Sequence, residues 1–341
     1  MTKLSIIVPV YNVENYIRPC IESIFRQGLD DNDFEIIIVN DGTRDRSMEM
    51  IAEIINQHHN ISVINQENQG LSVARNNGIA QAKGEYIFMP DSDDLVIENG
   101  LPPLLEIALR TKVDIVVADF LLMNDEQIAN FNGITQNDLI IKEKKGEQLM
   151  IEDLDPHQCY VWRSLFRKEF ITYNHIYFLP DVCYQDVPFT HECYLKANRC
   201  IRTNHLLYLY RRGREGATTS SYNIKKGKDF CKVIAHTWEL TKLDNPPRIQ
   251  RKLKDDIFTS FSRMIFQTRL LEKRGDRQLV IDCMKQLAPD LSFTNGFRQR
   301  LYTLMYRYLP HILTDIRYLY RRAGEECLFP LYYHIIKKDK L

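Results

Sequence analysis

The sequence predicts an α/β protein: a mostly parallel sheet flanked by helices, followed by a helical C-terminal extension. Over the first 120 residues, short apolar runs rich in β-branched residues alternate with stretches in which apolar residues recur at helical spacing. Strands separated by helices imply crossover connections, which are typical of a parallel sheet. Beyond Lys225 the periodicity is almost wholly helical. With 44% hydrophobic and 26% charged residues, the 341-residue chain has the composition of a globular protein.

The elements follow one another in a regular order. The predicted strands are Leu4–Val8, Glu35–Val39, Ile61–Ile64, Tyr86–Met89 and Val113–Val117. The predicted helices are Glu14–Gln27 with Asn12 as its N-cap, Asp45–Ile55, and Leu71–Ala82, which ends at Lys83-Gly84. From residue 124 to residue 146 the periodicity fades, which indicates a loop-rich or hairpin insertion.

Composition and charge restrict the functions that need to be considered. No run of about 18 apolar residues is present, and the N-terminus lacks the apolar core of a signal peptide, so we expect a cytoplasmic protein. The eight cysteines are scattered without a C-x-x-C pair and are predicted to be free thiols. Residues 1–160 hold 12 Lys and Arg against 27 Asp and Glu, whereas the rest of the chain holds 33 against 18. This division suggests metal-assisted handling of an anion in the first half and contact with an anionic surface in the second.

Polar residues follow several of the predicted strands, and ligands of open α/β sheets gather at the carboxyl ends of the strands. The strongest signal is Asp91-Ser92-Asp93-Asp94, directly after an apolar strand. Three neighbouring carboxylates repel one another unless a cation lies among them, and their oxygens suit Mg²⁺ or Mn²⁺. The alternative is an acidic loop that caps the next helix.

Three further residues near strand ends have both a functional and a structural interpretation. Asp41 could accept a hydrogen bond from a base or a ribose, or act as an N-cap or Asx-turn. Tyr11 could stack on a base or merely cover the sheet edge. Arg75, near a helix start, could neutralise a diphosphate or be a solvated surface residue.

Four segments together resemble the family 2 glycosyltransferases, in the order and at the separations typical of that family. They are Ile7–Asn12, Val39–Thr43, Asn68–Asn76 and Asp91–Asp94, within roughly the first 125 residues. The resemblance implies a GT-A (Rossmann-like) fold, a nucleotide-diphospho-sugar donor that is most often UDP-linked, a divalent metal (Mn²⁺ or Mg²⁺), and inversion at the anomeric carbon.

The same resemblance implies roles for individual residues. The donor-binding residues would be Pro9, Tyr11 and Asp41 around the base and ribose, Arg75 near the nucleotide, Asp91 near the ribose and metal, and Asp93 as a metal ligand. Residues 1–125 would form the nucleotide-sugar-binding half of the GT-A domain and residues 126–222 the acceptor-binding half. Residues 223–341 would be a helical C-terminal region.

Inverting transfer needs a base that deprotonates the acceptor hydroxyl. Family members usually supply it from a Glu-Asp pair that opens a helix, and the matching segment here is Tyr184–Phe189, with Asp186 at the position of the base. Gln185 replaces the usual Glu. The structural alternative makes Asp186 an N-cap with Pro188 in the first turn, which is compatible with the catalytic role.

Two other segments resemble parts of the family's substrate sites. Val161–Arg167 resembles the segment that borders the acceptor site, where Trp162 could stack on a sugar or belong to the core. Residues 208–220 resemble the loop after the last strand, where Arg211 and the Gly/Thr/Ser-rich tail could close over the donor diphosphate. A mobile basic surface loop is the competing interpretation.

The C-terminal stretch from Phe297 to Ala323 interleaves six arginines with aliphatic and aromatic residues, and Pro310 should divide it into two helices. This composition favours the interface of an anionic membrane, and hence peripheral attachment to the inner face of the cytoplasmic membrane. A helical bundle with arginines on its wet face is the alternative.

We therefore expect an inverting, metal-dependent glycosyltransferase that extends a surface polysaccharide, with a glycan or lipid-linked oligosaccharide as acceptor and no nucleic-acid partner. A nucleotidyltransferase and a non-catalytic nucleotide-sugar-binding or scaffold protein are the alternatives. The first would be expected to carry a Gly-rich basic loop after the first strand, which Pro9–Asn12 is not, and Gln185 keeps the second open. A dinucleotide-binding oxidoreductase is disfavoured because no G-x-G-x-x-G follows the first strand.

Overall fold

A computed structural model describes residues 2–136, 138–155, 158–214, 222–293 and 296–317. The chain divides into two compact units, residues 1–220 (unit 1) and residues 221–341 (unit 2). Unit 1 contains the sheet, and unit 2 is helical throughout its described part.

The described part of unit 1 contains one sheet of nine strands. They are β1 Leu4–Val10, β2 Phe34–Asn40, β3 Ile61–Asn65, β4 Tyr86–Phe88, β5 Leu95–Val96, β6 Ile115–Met123, β7 Ile141–Lys144, β8 Ser164–Arg167 and β9 Cys200–Arg211. Their order in the sheet is β3-β2-β1-β4-β8-β6-β9-β5, and β7 pairs with β9.

The first four strands in this order are parallel, as expected, and the remaining strands make the sheet mixed. β8 runs antiparallel to both β4 and β6, and β9 is parallel to β6 but antiparallel to β5 and β7. The α/β class and the helical extension are confirmed. The antiparallel strands escaped prediction because they pair with partners distant in sequence and need no crossover helix.

Within the described residues of unit 1, eight α-helices connect or flank these strands. They are α1 Ile17–Phe25, α2 Ser47–Gln57, α3 Leu71–Gln81, α4 Leu101–Thr111, α5 Asp125–Ala129, α6 Gly146–Glu152, α7 Lys168–Tyr173 and α8 Asp186–Lys196. The insertion between residues 124 and 146 thus contains the short helix α5 and the edge strand β7.

The N-terminus of α1 differs from the prediction. The helix begins at Ile17, and Asn12 is not its N-cap. Asn12 instead has a positive φ of 51°, and its side-chain oxygen accepts a hydrogen bond from the backbone N–H of Arg44 at 3.1 Å. Asn12 therefore connects the loop after β1 to the loop after β2, at the carboxyl edge of the sheet.

Helices cover both faces of the parallel strands. Ile6 and Val8 on β1 lie in the main hydrophobic cluster with residues of α1, α2 and α4. Ile7 points to the opposite face, as alternation along a strand requires, and lies against Gly78 of α3. A Cβ atom at Gly78 would lie 2.3 Å from Ile7 Cγ2, so the close approach of α3 to β1 depends on this glycine.

Unit 2 contains α9 Ile224–Glu239, α10 Pro247–Thr268, α11 Arg274–Leu287, α12 Phe297–Tyr308 and a further helical segment, 310–317. The break after Tyr308 agrees with the division expected at Pro310. Phe293 lies at the centre of an aromatic cluster with Trp238, Phe258 and Phe261. Among the helices of the described ranges, none combines the length and the apolar character that crossing a bilayer requires.

Candidate functional site

Three carboxylates lie together at the carboxyl end of β4. Asp91, Asp93 and Asp94 each offer an oxygen, and these oxygens lie within 4.8 Å of one another. Burial, followed by the charge of Asp93, raises the pKa of Asp94 to about 9. Burial also raises the pKa of Asp91 to about 7, although the Arg75 guanidinium opposes the shift. Burial and the neighbouring carboxylates therefore both disfavour the charged forms of Asp91 and Asp94.

The end of β9 holds this acidic loop in place. Asp94 accepts hydrogen bonds from the Tyr208 hydroxyl at 3.0 Å and from the Arg211 backbone N–H at 2.7 Å. The Arg211 side chain donates from Nε to the carbonyl oxygen of Asp93 at 2.7 Å, and its Nη1 pairs with Asp125. Arg211 thus supports the acidic loop directly, and Asp94 has both carboxylate oxygens occupied by β9.

A second arginine from the same segment contacts the carboxylate of Asp93. Arg214 Nε lies 3.0 Å from Asp93 Oδ2. The guanidinium groups of Arg211 and Arg214 lie over the Tyr16 ring, at 4.9 and 5.3 Å from its centroid. The sequence motifs assign no individual role to Arg214, Tyr16 or Tyr208, although Tyr208 and Arg214 lie in the segment 208–220. The Gly/Thr/Ser-rich tail at 215–220 lies outside the described residues.

Arg75 joins the acidic loop to the predicted base. Its guanidinium is fully buried and donates from Nη2 to Asp91 Oδ1 at 2.6 Å and from Nη1 to Asp186 Oδ1 at 2.7 Å. The Phe178 ring covers the guanidinium, with the centroid 5.1 Å from Cζ. Burial raises the pKa of Asp186, and Arg75 opposes this shift. Arg75 is therefore not a solvated surface residue.

Asp186 is the first residue of α8, and Gln185 occupies the N-cap position. The helix start places the Asp186 carboxylate, 23% exposed, on the side of the acidic loop. Pro188 follows in the first turn, as expected. Asp186 and Asp91 are 95 residues apart in sequence, and the Arg75 side chain connects them.

Asp41 supports a neighbouring loop. Its carboxylate accepts hydrogen bonds from the backbone N–H groups of Gln69 and Gly70 at 2.8 and 2.9 Å, and from the side chain of Gln66 at 2.8 Å. The side chain is 3% exposed. This network orders residues 66–70, which lead into α3 and Arg75.

Pro9 and Tyr11 lie at the end of β1. Pro9 pairs with Val39 within the parallel sheet. Tyr11 follows the strand and is 39% exposed, so its ring has solvent access at the carboxyl edge. These positions are compatible with the predicted contacts to a base, which stay predictions.

Trp162 is packed inside unit 1. The indole is 1% exposed and lies between the rings of Tyr160 and Tyr208, with centroid distances of 4.6 and 4.3 Å and interplanar angles of 14°. Phe120 meets its edge at 4.9 Å. Both faces are covered, which corrects the expectation that Trp162 stacks on a sugar and favours its core alternative. Its contact with Tyr208 connects this aromatic cluster to the acidic loop.

The donor atoms at the acidic loop suit a divalent cation. Oxygen ligands alone match the preference of Mg²⁺ and Mn²⁺. The raised pKa values of Asp91 and Asp94 indicate that added positive charge would be stabilising here. Both carboxylate oxygens of Asp94 accept hydrogen bonds from β9, whereas the pairs of Asp91 with Arg75 and of Asp93 with Arg214 each use one oxygen. Asp91 and Asp93 are therefore the residues best placed to be ligands.

Known proteins resemble this chain in sequence and in fold. Residues 5–171 match the model of glycosyl transferase family 2. The chain is 37% identical over 221 residues to EpsJ, an uncharacterized glycosyltransferase of Bacillus subtilis, which covers 64% of each chain. It is 31% identical over 306 residues to YibD, an uncharacterized glycosyltransferase of Escherichia coli, which covers 88% of this chain and 87% of YibD.

A solved structure extends the comparison over unit 1 and unit 2. The crystal structure of residues 1–349 of Staphylococcus aureus TarS, in complex with UDP-GlcNAc, has a TM-score of 0.75 and 21% sequence identity, with 95% of this chain and 92% of that chain covered. TarS is a poly(ribitol-phosphate) β-N-acetylglucosaminyltransferase. The chain spans most of YibD but less than two thirds of EpsJ. By its sequence motifs, its sheet and these similarities, the chain belongs to glycosyltransferase family 2 and has the GT-A fold.

Proposed function

We propose that the chain is an inverting, metal-dependent glycosyltransferase, which moves a sugar from a nucleotide-diphospho-sugar to a hydroxyl group of a glycan or a lipid-linked oligosaccharide. The observation that carries the proposal is the buried Arg75, which holds the acidic loop and Asp186 together in one site. A UDP-linked donor is supported by the fold shared with TarS, whose structure was determined with UDP-GlcNAc. For a lipid-linked acceptor, we further propose peripheral contact between a membrane and the C-terminal helices.

We assign Asp91 and Asp93 as the residues that hold Mn²⁺ or Mg²⁺. When bound, such an ion supplies positive charge that offsets the charge developing on the departing diphosphate. Arg211 and Arg214 add fixed positive charge from the end of β9, within reach of the same loop. Arginine side chains are well suited to phosphate oxygens because their N–H groups form a planar fork.

Asp186 is the base in this proposal. Arg75 donates to Asp186 Oδ1, and we assign Oδ2 to the acceptor hydroxyl. The hydroxyl oxygen attacks the anomeric carbon as the bond from that carbon to the diphosphate oxygen breaks. The proton of the hydroxyl passes to Asp186, and the nucleoside diphosphate leaves with the bonding electrons.

The donor nucleotide would lie along the ends of β1 and β2. Tyr11 has an exposed ring that can stack on the base, next to Pro9. Asp41 would act mainly through the loop 66–70 that it orders, because four of its hydrogen bonds go to that loop. Arg75 would then act on the donor indirectly, by holding Asp91 in position.

The test replaces Asp186 by Asn and compares transfer with donor binding. Asn keeps the size of the side chain and removes the base, so transfer should fall by about 10²–10⁴-fold. Binding of UDP-sugars should persist, seen as an Mn²⁺-dependent rise in melting temperature across a set of donors. A ligand at 100 times its Kd adds about 2.7 kcal/mol to the free energy of unfolding.

Asp276→Asn is the matched control, because Asp276 lies in the first turn of α11 in unit 2. It should leave transfer and donor binding unchanged. Unchanged turnover in Asp186→Asn would refute the role of Asp186. Absence of any Mn²⁺-dependent stabilisation by nucleotide sugars would refute the proposed donor class.

A further inference from the structure

Helix α12 of unit 2 presents an apolar face to solvent. Phe297, Leu301, Leu304 and Tyr308 are 84%, 44%, 53% and 70% exposed. At 3.6 residues per turn, these four positions fall within an arc of about 60°. Tyr306 lies on the opposite side, buried, and its hydroxyl donates to the carbonyl oxygen of Ile281 at 3.0 Å. The helix is therefore packed on one side and apolar on the other.

The next helical segment repeats this arrangement. Ile312 and Ile316, one turn apart, are 49% and 50% exposed, and Leu309 at the break is 50% exposed. Leu313 and Thr314 are buried on the other side. The sequence left open whether this region is a packed bundle or an interfacial surface. In the structure, each of the two helices has one face that is packed against unit 2 and one apolar face that is exposed.

Arginines lie beside the apolar face. Arg298, Arg300 and Arg307 are exposed, and at 100° per residue they lie on both margins of the stripe of α12. Within residues 296–317 the one acidic residue is Asp315, which forms an ion pair with Arg269 at 2.6 Å. The face is thus apolar at its centre and basic along its margins.

We propose that the exposed face of α12 and of residues 310–317, which we call the apolar–basic face, binds the surface of a bilayer that contains anionic lipids. An amphipathic helix of this composition lies in the interface, with its apolar residues at the level of the upper acyl chains and its arginines near the headgroups. Phe297 and Tyr308 have the aromatic character that interfaces favour. A second copy of the chain fits the face poorly, because two such faces would bring arginines against arginines.

This inference extends the membrane contact included in the proposed function, but it rests on unit 2 alone and requires no glycosyl transfer. The experiment is co-sedimentation of the full chain with vesicles of phosphatidylcholine, and with vesicles of phosphatidylcholine and phosphatidylglycerol. We expect binding to the anionic vesicles, weakened by high salt because the charges are exposed. Arg298→Gln with Arg307→Gln should weaken it by about fivefold per arginine.

The decisive variant is Leu301→Glu with Leu304→Glu, which removes apolar contacts in addition to adding two negative charges. It should weaken binding to anionic vesicles at least about tenfold more than the same change in charge elsewhere on unit 2. Its matched control is Leu243→Glu with Leu279→Glu, two exposed leucines of unit 2 outside the face, with the same change in charge. The control should weaken binding to anionic vesicles only through its two added negative charges. The loss should be no larger than that of Arg298→Gln with Arg307→Gln. Far-UV circular dichroism and melting temperature establish that both variants are folded.

Three outcomes would overturn the inference. The unaltered chain could fail to bind anionic vesicles, the two leucine variants could lose binding equally, or the chain could form a dimer that Leu301→Glu with Leu304→Glu dissociates while no vesicles bind. The last outcome would assign the face to a second copy. Stabilisation by Mn²⁺ and UDP, measured on the same samples, reports on the proposed function separately.

Discussion

The contact between Arg75, Asp91 and Asp186 makes a prediction about stability and activity together. In Arg75→Met the side chain keeps its length but loses its charge, and two partly buried carboxylates lose their partner. Breaking such a pair by removing one member costs about 3–5 kcal/mol. The two acids can limit this loss by taking up protons, so the loss should depend on pH.

The sign of that dependence follows from the direction of the shifts. Arg75 lowers the pKa of both Asp91 and Asp186, so its removal raises both further above the unfolded values. For each of the two acids, the folded variant then binds more protons than the unfolded chain at any pH between the unfolded and the folded pKa. Its free energy of unfolding therefore falls as the pH rises through that range. The difference in free energy of unfolding from the unaltered protein should therefore be smaller at pH 5, below the pKa of about 7 of Asp91, than at pH 8.

The raised pKa of Asp186 should also change the pH dependence of the transfer reaction. A base with a raised pKa is protonated over more of the working range, so the acid limb of kcat/KM against pH should move to higher pH in Arg75→Met. Arg75→Lys should recover only part of the activity. The lysine restores the positive charge, but one ammonium group cannot reproduce the planar guanidinium that contacts two carboxylates. The measurements are urea unfolding at pH 5 and pH 8, without metal, and pH profiles of transfer with Mn²⁺.

Arg167→Met is the matched control. Arg167 forms a comparable ion pair with Asp114 at 2.6 Å, away from the acidic loop. It should destabilise the protein and leave the pH profile of transfer in place. If Arg75→Met gave the same pH profile as Arg167→Met, or an equal loss of stability at pH 5 and pH 8, the reasoning about Arg75 would be wrong.

Three further predictions test the surroundings of the site. Asp94→Asn should raise the free energy of unfolding of the metal-free protein by about 1–3 kcal/mol at pH 8 and hardly at all near pH 4. The reason is that a carboxyl group with a folded pKa of about 9 destabilises the folded protein increasingly as the pH rises above the unfolded pKa. Denaturation in the presence of EDTA measures the effect, and an equal effect at both pH values contradicts the prediction. Trp162→Ala should lower the free energy of unfolding by about 3–5 kcal/mol, because the indole is packed between two aromatic rings. Trp162→Phe should leave the KM for the acceptor unchanged, and a large rise in that KM would restore the sugar-stacking role. Gly78→Ala should cost about 1–3 kcal/mol through its clash with Ile7, while Gly275→Ala, where a Cβ meets no atom within 4 Å, should be neutral or stabilising in the same urea titration.

The sequence predicted the parallel half of the sheet because burial on both faces leaves a readable pattern. Strands such as β1 and β2 are continuous apolar runs bounded by polar residues, and crossover helices separate them. The N-terminus of α1 was placed wrongly, since the side chain of Asn12 bonds to the loop at Arg44 rather than to its own helix. Such a choice between a local and a tertiary partner is not visible in a local pattern.

The candidate site was predictable to a similar extent. The acidic loop and Asp186 follow from residue type and position next to secondary structure. The contact between Arg75 and Asp186 spans 111 residues, and no periodicity reports it. Tyr208 and Arg214 were missed for the same reason, because their partners Asp94 and Asp93 lie more than 100 residues earlier in the chain.

The charges around the acidic loop explain why these distant contacts belong together. Without added cations, each carboxylate has a separate partner: Asp91 has Arg75, Asp93 has Arg214, and Asp94 has Tyr208 and the backbone of Arg211. These partners reduce the repulsion within the loop, but burial first and the neighbouring carboxylates second still hold the pKa values of Asp91 and Asp94 above their usual range. A divalent cation would relieve the remainder. It would also compete with Arg214 for Asp93, and an arginine released in this way is free to pair with the phosphates of a donor. Metal binding and donor binding should therefore strengthen each other, and by reciprocity the affinity for Mn²⁺ should rise in the presence of UDP.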